Sequence, residues 1–174
     1  MSSEGAPDDP AASGELARFA VDLYGRPGVS EACLLLQDGC GVNVPVLLTA
    51  AWLAKRGARV TGTVVRDADA VAGAWHDDIV KPLRAVRRRL KAGPHPAPRE
   101  RSERLREMVK RAELSAEFIE LSMLEAFALD VPVHGERSAP LELVSTVVAF
   151  YSGRPLDGDY ARAIEDVAAA ISRD

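Results

Sequence analysis

The sequence predicts an all-α fold: a compact bundle of six or seven helices around one buried central helix. Three observations support this prediction. Apolar residues recur at helical spacing along most of the chain, and the composition is 47% hydrophobic but only 5% aromatic. Between Val46 and Ala54 the only polar side chain is Thr49, a pattern typical of a helix that is buried on all sides. The length of 174 residues fits one domain with its own core.

The first 13 residues are rich in Ser, Gly, Pro and acidic side chains, so we predict a disordered tail over 1–13 and a single helical domain over 14–174. The first helix is expected from about Glu15 to Tyr24, with Ser13 as its cap. A second helix is expected from Val29 to a stop at Gly39 or Gly41.

The central helix is predicted from about Val44 to Lys55. Asn43 suits its N-cap, and Pro45 falls in the first turn, where its missing N–H costs nothing. Lys55 and Arg56 place positive charge at the negative end of the helix dipole.

The next segment, Arg59 to Val65, is interpreted as an extended linker because its β-branched residues lack a second strand. The fourth helix then begins near Asp67 or Asp69 and continues to about Leu90. Pro82 lies inside it and predicts a kink or a break, with the kink preferred.

A proline-rich loop over 93–98 separates this helix from a long one, expected from about Glu100 to Ala128, and the two form an antiparallel hairpin. The first half of the long helix is expected to face solvent and the second half to join the core. Residues 141–151 fit a helix or a strand, and a last helix starts at about Asp157.

Three segments of the chain together carry a recognisable pattern. It includes Arg26, Pro27, Gly28, Gln37, Asp38, Gly41, Asn43, Trp52, Trp75, Pro82, Arg84, Arg87, Arg88, Glu113, Glu117 and Glu120. Over about residues 14–128 the chain resembles an uncharacterised proteobacterial family of small helical proteins. The resemblance implies no activity, cofactor or substrate.

The charge is segregated, because residues 81–111 carry a net charge of +9 and the rest of the chain −13. Helical spacing puts basic residues of the fourth helix on one face, with Arg87 and Arg89 flanking them: Lys81, Arg84, Arg88 and Lys91. We expect this basic face to bind a macromolecular partner, a protein first and a nucleic acid as the alternative. The other interpretation is that these charges are solvated and pair with a neighbouring helix.

That neighbouring helix carries three carboxylates on one face, at Glu113, Glu117 and Glu120. Inward glutamates hold metals in some bundles, but those sites also use a histidine three residues further on, and none is present here. His76, His95 and His134 are scattered along the chain. We therefore expect no metal and no cofactor, and we expect these glutamates to pair with the basic face, in particular Glu117 with Arg84.

The turn before the central helix offers another polar group, namely Gln37, Asp38 and Asn43. These side chains suit either a pocket or simple capping of the helix ends, and capping is preferred.

No nucleophile motif, phosphate-binding loop or zinc motif is present, so the expectation leans away from an enzyme. A small-molecule binder or an unrecognised enzyme remains the third alternative. With no secretory signal pattern and no bilayer-length apolar run, we expect a cytoplasmic protein without a membrane partner. Cys33 and Cys40 are interpreted as core thiols.

Overall fold

We describe the protein from a computed structural model, which covers residues 14–93, 96–135, 137–153, 156 and 158–173. The predicted tail over 1–13, including the expected cap Ser13, lies outside the described residues. Pro94 and His95 of the proline-rich loop lie outside them as well.

The described residues form helices and contain no strand. The elements are α1 (Glu15–Tyr24), α2 (Val29–Cys40), α3 (Val44–Lys55), α4 (Gly62–Trp75), a π turn (His76–Val80), α5 (Lys81–Ala92), α6 (Arg99–Leu129), α7 (Pro140–Ser152) and α8 (Gly158–Ile171). Because α4, the π turn and α5 follow one uninterrupted helical path, the described residues make seven helical rods. The all-α prediction is confirmed.

Helix α3 is the centre of the molecule. Every residue from Val44 to Ala54 is buried, and α3 contacts α1, α4, α6 and α7. The largest of these side chains, Trp52, is 5% exposed. The prediction of a central helix that is buried on all sides is therefore confirmed.

The start of α4 corrects the sequence prediction for Arg59 to Val65. Helix α4 begins at Gly62, with Thr61 as N-cap, and the Thr61 hydroxyl accepts a hydrogen bond from the N–H of Val64 at 3.4 Å. The extended linker was wrong over its second half because a capping threonine and burial of Val65 outweigh the weak local preference of β-branched residues for extended backbone.

The chain accommodates Pro82 with a widened helical turn. The N–H of Lys81 donates to the carbonyl of His76, five residues back, and Pro82 follows as the second residue of α5. Proline has no N–H and crowds the carbonyl four residues earlier, so a π turn just before it removes the conflict without ending the helical path.

Helix α6 runs antiparallel to α5, since residues further along α5 pair with residues earlier in α6. Its first half is largely solvated, with Leu105 and Met108 exposed, whereas Phe118, Leu121, Leu124 and Ala128 of the second half join the core. Both halves match the prediction.

The second half of α6 also caps α1. The carboxylate of Glu125 accepts hydrogen bonds from the backbone N–H groups of Glu15 at 3.0 Å and Leu16 at 3.3 Å. Gly14 is the N-cap of α1 and supplies no side chain, so a distant residue does the capping.

Near the C-terminal end of the chain, residues 141–151 lie in α7 and therefore form a helix rather than a strand. Helix α8 starts at Gly158. Among the described helices, none is both long enough and apolar enough to cross a bilayer.

Candidate functional site

The face of α6 that carries three glutamates meets the basic face of α5 in an extended polar contact. Arg84, only 8% exposed, donates from Nε to Glu113 Oε1 at 2.9 Å and from Nη2 to Glu117 Oε1 at 2.6 Å. The predicted pairing of Arg84 with Glu117 is therefore present. It places the centre of the basic face inside the protein.

Glu113 receives a second guanidinium. Arg87 donates from Nε to Glu113 Oε2 and from Nη2 to Glu113 Oε1, the latter at 3.1 Å. Burial favours the neutral carboxyl, but the hydrogen bonds from Arg87 and Arg84 outweigh it and lower the pKa of Glu113. One turn further along, burial dominates and raises the pKa of Glu117 against the opposing effect of Arg84.

The third glutamate is bound by different partners. Glu120 is fully buried; its Oε2 lies 3.0 Å from Nδ1 of His76, and its Oε1 accepts a hydrogen bond from Nδ2 of Asn43 at 2.6 Å. An ionised carboxylate has only acceptors, so Nδ1 of His76 carries the hydrogen in this contact. We call the set His76, Arg84, Arg87, Glu113, Glu117 and Glu120 the polar seam.

Asn43 corrects a sequence prediction. It occupies the N-cap position of α3, but its side chain makes no capping hydrogen bond and points to Glu120 instead. A buried carboxylate that needs a second donor explains this choice. The other oxygen, Oδ1, is buried and has no hydrogen-bond partner among the described residues.

A cleft of about 290 Å³ opens beside the polar seam. One wall comes from the end of α2 and the following turn, namely Gln37, Asp38, Gly41 and Val42. The other wall comes from the π turn and α5, namely His76, Lys81, Arg84, Ala85 and Arg88. The cleft is therefore lined by residues of the basic face and of the polar turn, and the three glutamates contact it only through Arg84 and His76.

The turn after α2 gives the cleft a defined wall. Gly41 adopts a left-handed conformation with φ of 71°, its N–H donates to the carbonyl of Gln37 at 3.1 Å, and that of Val42 donates to Leu36 at 3.4 Å. Asp38 does not cap the helix end and instead forms an ion pair with Arg88 across the cleft. The preferred interpretation of Asp38 as a cap is wrong, because its carboxylate pairs with Arg88 of α5.

A comparison with known protein families matches one family over the part of the chain that contains the polar seam and the cleft. A family model described as "protein of unknown function (DUF2390)" matches residues 15–124. The chain belongs to this family. The resemblance to an uncharacterised family is thereby confirmed. The matched DUF2390 region contains the whole polar seam and the cleft, while α7 and α8 follow it. Neither the curated proteins nor the solved structures gave a match.

Within this DUF2390 region, the residue that sequence reasoning missed is His76. It was set aside as one of three scattered histidines, yet it is 4% exposed and links the polar seam to the cleft. The available signal was Pro82, since a proline inside a helix often follows a turn that re-aims nearby side chains. No group of three or more ligating side chains suited to a metal occurs within the part of the chain that the structure describes.

Proposed function

We propose that this protein is a noncatalytic bacterial binding protein that docks an acidic segment of a protein partner on its α5–α6 hairpin. The observation that supports the proposal is a set of exposed cations with no ion-pair partner among the described residues. We call them the cationic hairpin surface: Arg89, Lys91, Arg99, Arg101, Lys110 and Arg111.

Ion pairs within the protein reduce the number of basic-face residues that are available to a partner. Arg84 and Arg87 are occupied by Glu113 and Glu117, and Arg88 by Asp38, so these arginines are poor candidates for a partner's carboxylates. Lys81 is paired with Asp77 at 2.5 Å. Of the basic residues first singled out, Lys91 remains an available contact, and Arg89 joins it from the flank.

Apolar side chains lie on the same hairpin. Val86 is 48% exposed, Leu105 47% and Met108 67%. Protein interfaces favour arginine and methionine together with exposed apolar area, and complementary charge steers the encounter. A cationic surface with interspersed apolar groups suits an acidic amphipathic partner.

A nucleic-acid accessory is the alternative that this surface supports less well. Residues 81–111 contain no Phe, Tyr or Trp, so this basic part of the hairpin offers no aromatic side chain on which bases stack. We also propose a cytoplasmic location, because the thiols of Cys33 and Cys40 are buried and form no disulfide.

The test compares two charge-reversed variants with the same change in net charge. Arg89→Glu with Lys91→Glu alters the cationic hairpin surface, whereas Arg66→Glu with Arg173→Glu alters exposed cations elsewhere. Tagged protein is used to capture partners from nuclease-treated lysate, and each captured protein is then purified and titrated directly against all three forms.

We expect an acidic protein whose affinity falls at least about tenfold for the hairpin variant, weakens with added salt and is unchanged for the control. Equal binding by both variants would overturn the proposal. The proposal would also be overturned if all material captured from untreated lysate were lost after nuclease treatment, which would favour the nucleic-acid alternative.

A further inference from the structure

The cleft between α2 and α5 is separate from the cationic hairpin surface and is large enough for a small molecule. Its volume of about 290 Å³ is close to the lower end of the range for small-molecule pockets, about 300 Å³. Gly41, Val42 and Ala85 supply apolar parts of its lining. In such pockets a few polar groups with free hydrogen-bonding capacity fix the orientation and the identity of the ligand.

Charge does not select the ligand, because the cations of the cleft lining are already paired. Lys81 is paired with Asp77. Arg88 is paired with Asp38, and Arg84 with two glutamates of the polar seam. A carboxylate or phosphate would compete with these internal acceptors, whereas an ammonium group would meet three cations and one acidic side chain in the lining. The cleft therefore suits a ligand without net charge.

His76 offers the cleft a hydrogen-bond acceptor. Its Nδ1 carries the hydrogen that the Glu120 carboxylate accepts, so Nε2 of the neutral ring has a lone pair and no hydrogen. Among the described residues, the buried side-chain atoms without a partner are Asn43 Oδ1 and Arg106 Nε. Nε2 has no partner among those residues either, so it is open to solvent, and His76 lines the cleft. A group that binds to Nε2 must donate a hydrogen bond.

The direction of this lone pair is fixed from behind. Asn43 Nδ2 donates to Glu120 Oε1 at 2.6 Å, and Glu120 Oε2 lies 3.0 Å from Nδ1 of His76. A histidine that is bound through Nδ1 to a buried carboxylate has its tautomer and ring orientation set. Little conformational entropy is then lost in the protein when a ligand donates to Nε2.

Gln37 offers a second polar group from the opposite wall of the cleft. It is half-buried near the end of α2, and its side chain makes no hydrogen bond within the part of the chain that the structure describes. Its carboxamide both donates and accepts. A hydroxyl carries its donor and its acceptor on one atom, whereas a carboxamide carries them on two. A carboxamide is therefore better suited to contact both walls at once.

We propose that this cleft binds the carboxamide group of a small neutral molecule. The N–H of the ligand donates to Nε2 of His76, and its carbonyl oxygen accepts from the side-chain NH₂ of Gln37. The apolar part of the ligand lies against Val42 and Ala85. The site uses no charge of the ligand and no residue of the cationic hairpin surface.

Four benzene derivatives of similar size test this ligand class: benzamide, benzoate, benzylammonium and benzyl alcohol. Each is titrated at fixed ionic strength and above the ordinary pKa of histidine, about 6.5, while NMR follows the Cε1–H signal of His76. His134, an exposed histidine outside the cleft, is the internal reference. We expect a saturable shift of the His76 signal with benzamide, with a dissociation constant about tenfold lower than for the other three compounds.

Imidazole ¹⁵N chemical shifts test the contact itself. We expect Nδ1 of His76 to keep its hydrogen in the free and the bound protein, and the Nε2 resonance to move as benzamide saturates the site. A hydrogen on Nε2 in the free protein would overturn the proposal, because the cleft would then present a donor where the proposal requires an acceptor.

Two variants test where benzamide binds. Gln37→Leu removes the hydrogen bonds of one wall, and Ala85→Leu fills the cleft without removing a polar group. Ala70→Leu, on the exposed side of α4, is the matched control. We expect the dissociation constant to rise at least about threefold for Gln37→Leu, since one neutral hydrogen bond is lost, and at least about tenfold for Ala85→Leu. It should stay unchanged for Ala70→Leu.

The proposal would be overturned by a linear drift of the His76 signal without saturation or by parallel movement of His134. Binding of benzoate, benzylammonium or benzyl alcohol as tight as that of benzamide would also overturn it, as would unchanged affinity of Ala85→Leu. Because both cleft variants leave the cationic hairpin surface intact, their binding of a captured partner protein reports separately on the proposed function.

Discussion

Glu120 Oε2 lies 3.0 Å from Nδ1 of His76, with 0% of Glu120 and 4% of His76 exposed to solvent. The pair connects α6 to the π turn in the interior of the protein. Asn43 Nδ2 completes the contact from the first residue before α3, so three helical segments converge on one carboxylate. The cost of burying this carboxylate is offset only while both donors remain in place.

We expect Glu120→Gln to change the tautomer of His76. The amide oxygen of glutamine still accepts from Asn43, so its NH₂ group faces Nδ1, which must then act as an acceptor. The hydrogen moves to Nε2, and the free energy of unfolding falls by about 1–3 kcal/mol. Imidazole ¹⁵N chemical shifts report the tautomer, and urea unfolding reports the stability. An unchanged His76 tautomer would show that Glu120 does not orient the ring.

The lowered pKa of Glu113 predicts how the stability of the protein depends on pH. Its pKa is lower in the folded protein than in the unfolded chain, so the carboxylate stabilises the fold above its ordinary range, about 4.3, and this contribution is lost as pH falls through the folded pKa. The free energy of unfolding of Glu113→Gln is expected to be about 3 kcal/mol lower near neutral pH, since the neutral amide keeps one acceptor oxygen and removes the negative charge that the two guanidiniums share. The deficit should shrink below about pH 4.

Glu117→Gln serves as the control in the same urea titrations. The pKa of Glu117 is raised by burial, so ionising it lowers stability as pH rises through the ordinary carboxyl range, which is the opposite sign. Its loss near neutral pH should therefore be smaller than that of Glu113→Gln. Parallel pH profiles for the two variants would contradict this assignment of the two carboxylates.

Much of the fold was predictable because its signals are local. The apolar run of α3 and the helical spacing of the second half of α6 depend on nothing outside each segment, and both were read correctly. Thr61 shows where this reasoning failed. Its neighbours favour extended backbone, and only burial of Val65 in the shared core reveals that a helix has begun.

The polar site was less predictable because it depends on contacts between distant segments. The sequence indicated that Arg84 and Glu117 face each other, since both lie on regular helices with readable faces. His76 and Asn43 are 44 and 77 residues from Glu120, and no spacing rule joins them. The widened π turn also shifts the register of the helix face, so helical periodicity through Pro82 misplaces His76.

A double-mutant cycle on Arg84 and Glu117 should give a favourable coupling energy of about 1–3 kcal/mol. The Nη2–Oε1 distance is 2.6 Å, and the side chains are 10% and 27% exposed, so water screens the pair weakly. Arg84→Met, Glu117→Gln and the double variant are compared by urea unfolding. The exposed pair Arg104–Glu100, with side chains 75% and 80% exposed, is the control and should couple by no more than about 0.5 kcal/mol. Equal couplings would mean that the Arg84 pair is as well solvated as a surface pair.

Replacing each of two helix glycines by alanine should change the stability of the protein in opposite directions. A Cβ on Gly39 would lie 2.3 Å from the hydroxyl oxygen of Tyr160 on α8, so Gly39→Ala must displace that ring from the α2–α8 contact and should cost about 1–3 kcal/mol. A Cβ on Gly73 meets nothing closer than 3.8 Å, at Asp69, so Gly73→Ala should raise stability by about 0.5–1 kcal/mol through helix propensity alone. Thermal and urea unfolding measure both changes. Tyr160→Ser combined with Gly39→Ala should recover the loss due to the clash, and stabilisation by Gly39→Ala alone would show that α2 and α8 are not packed as closely as the structure places them.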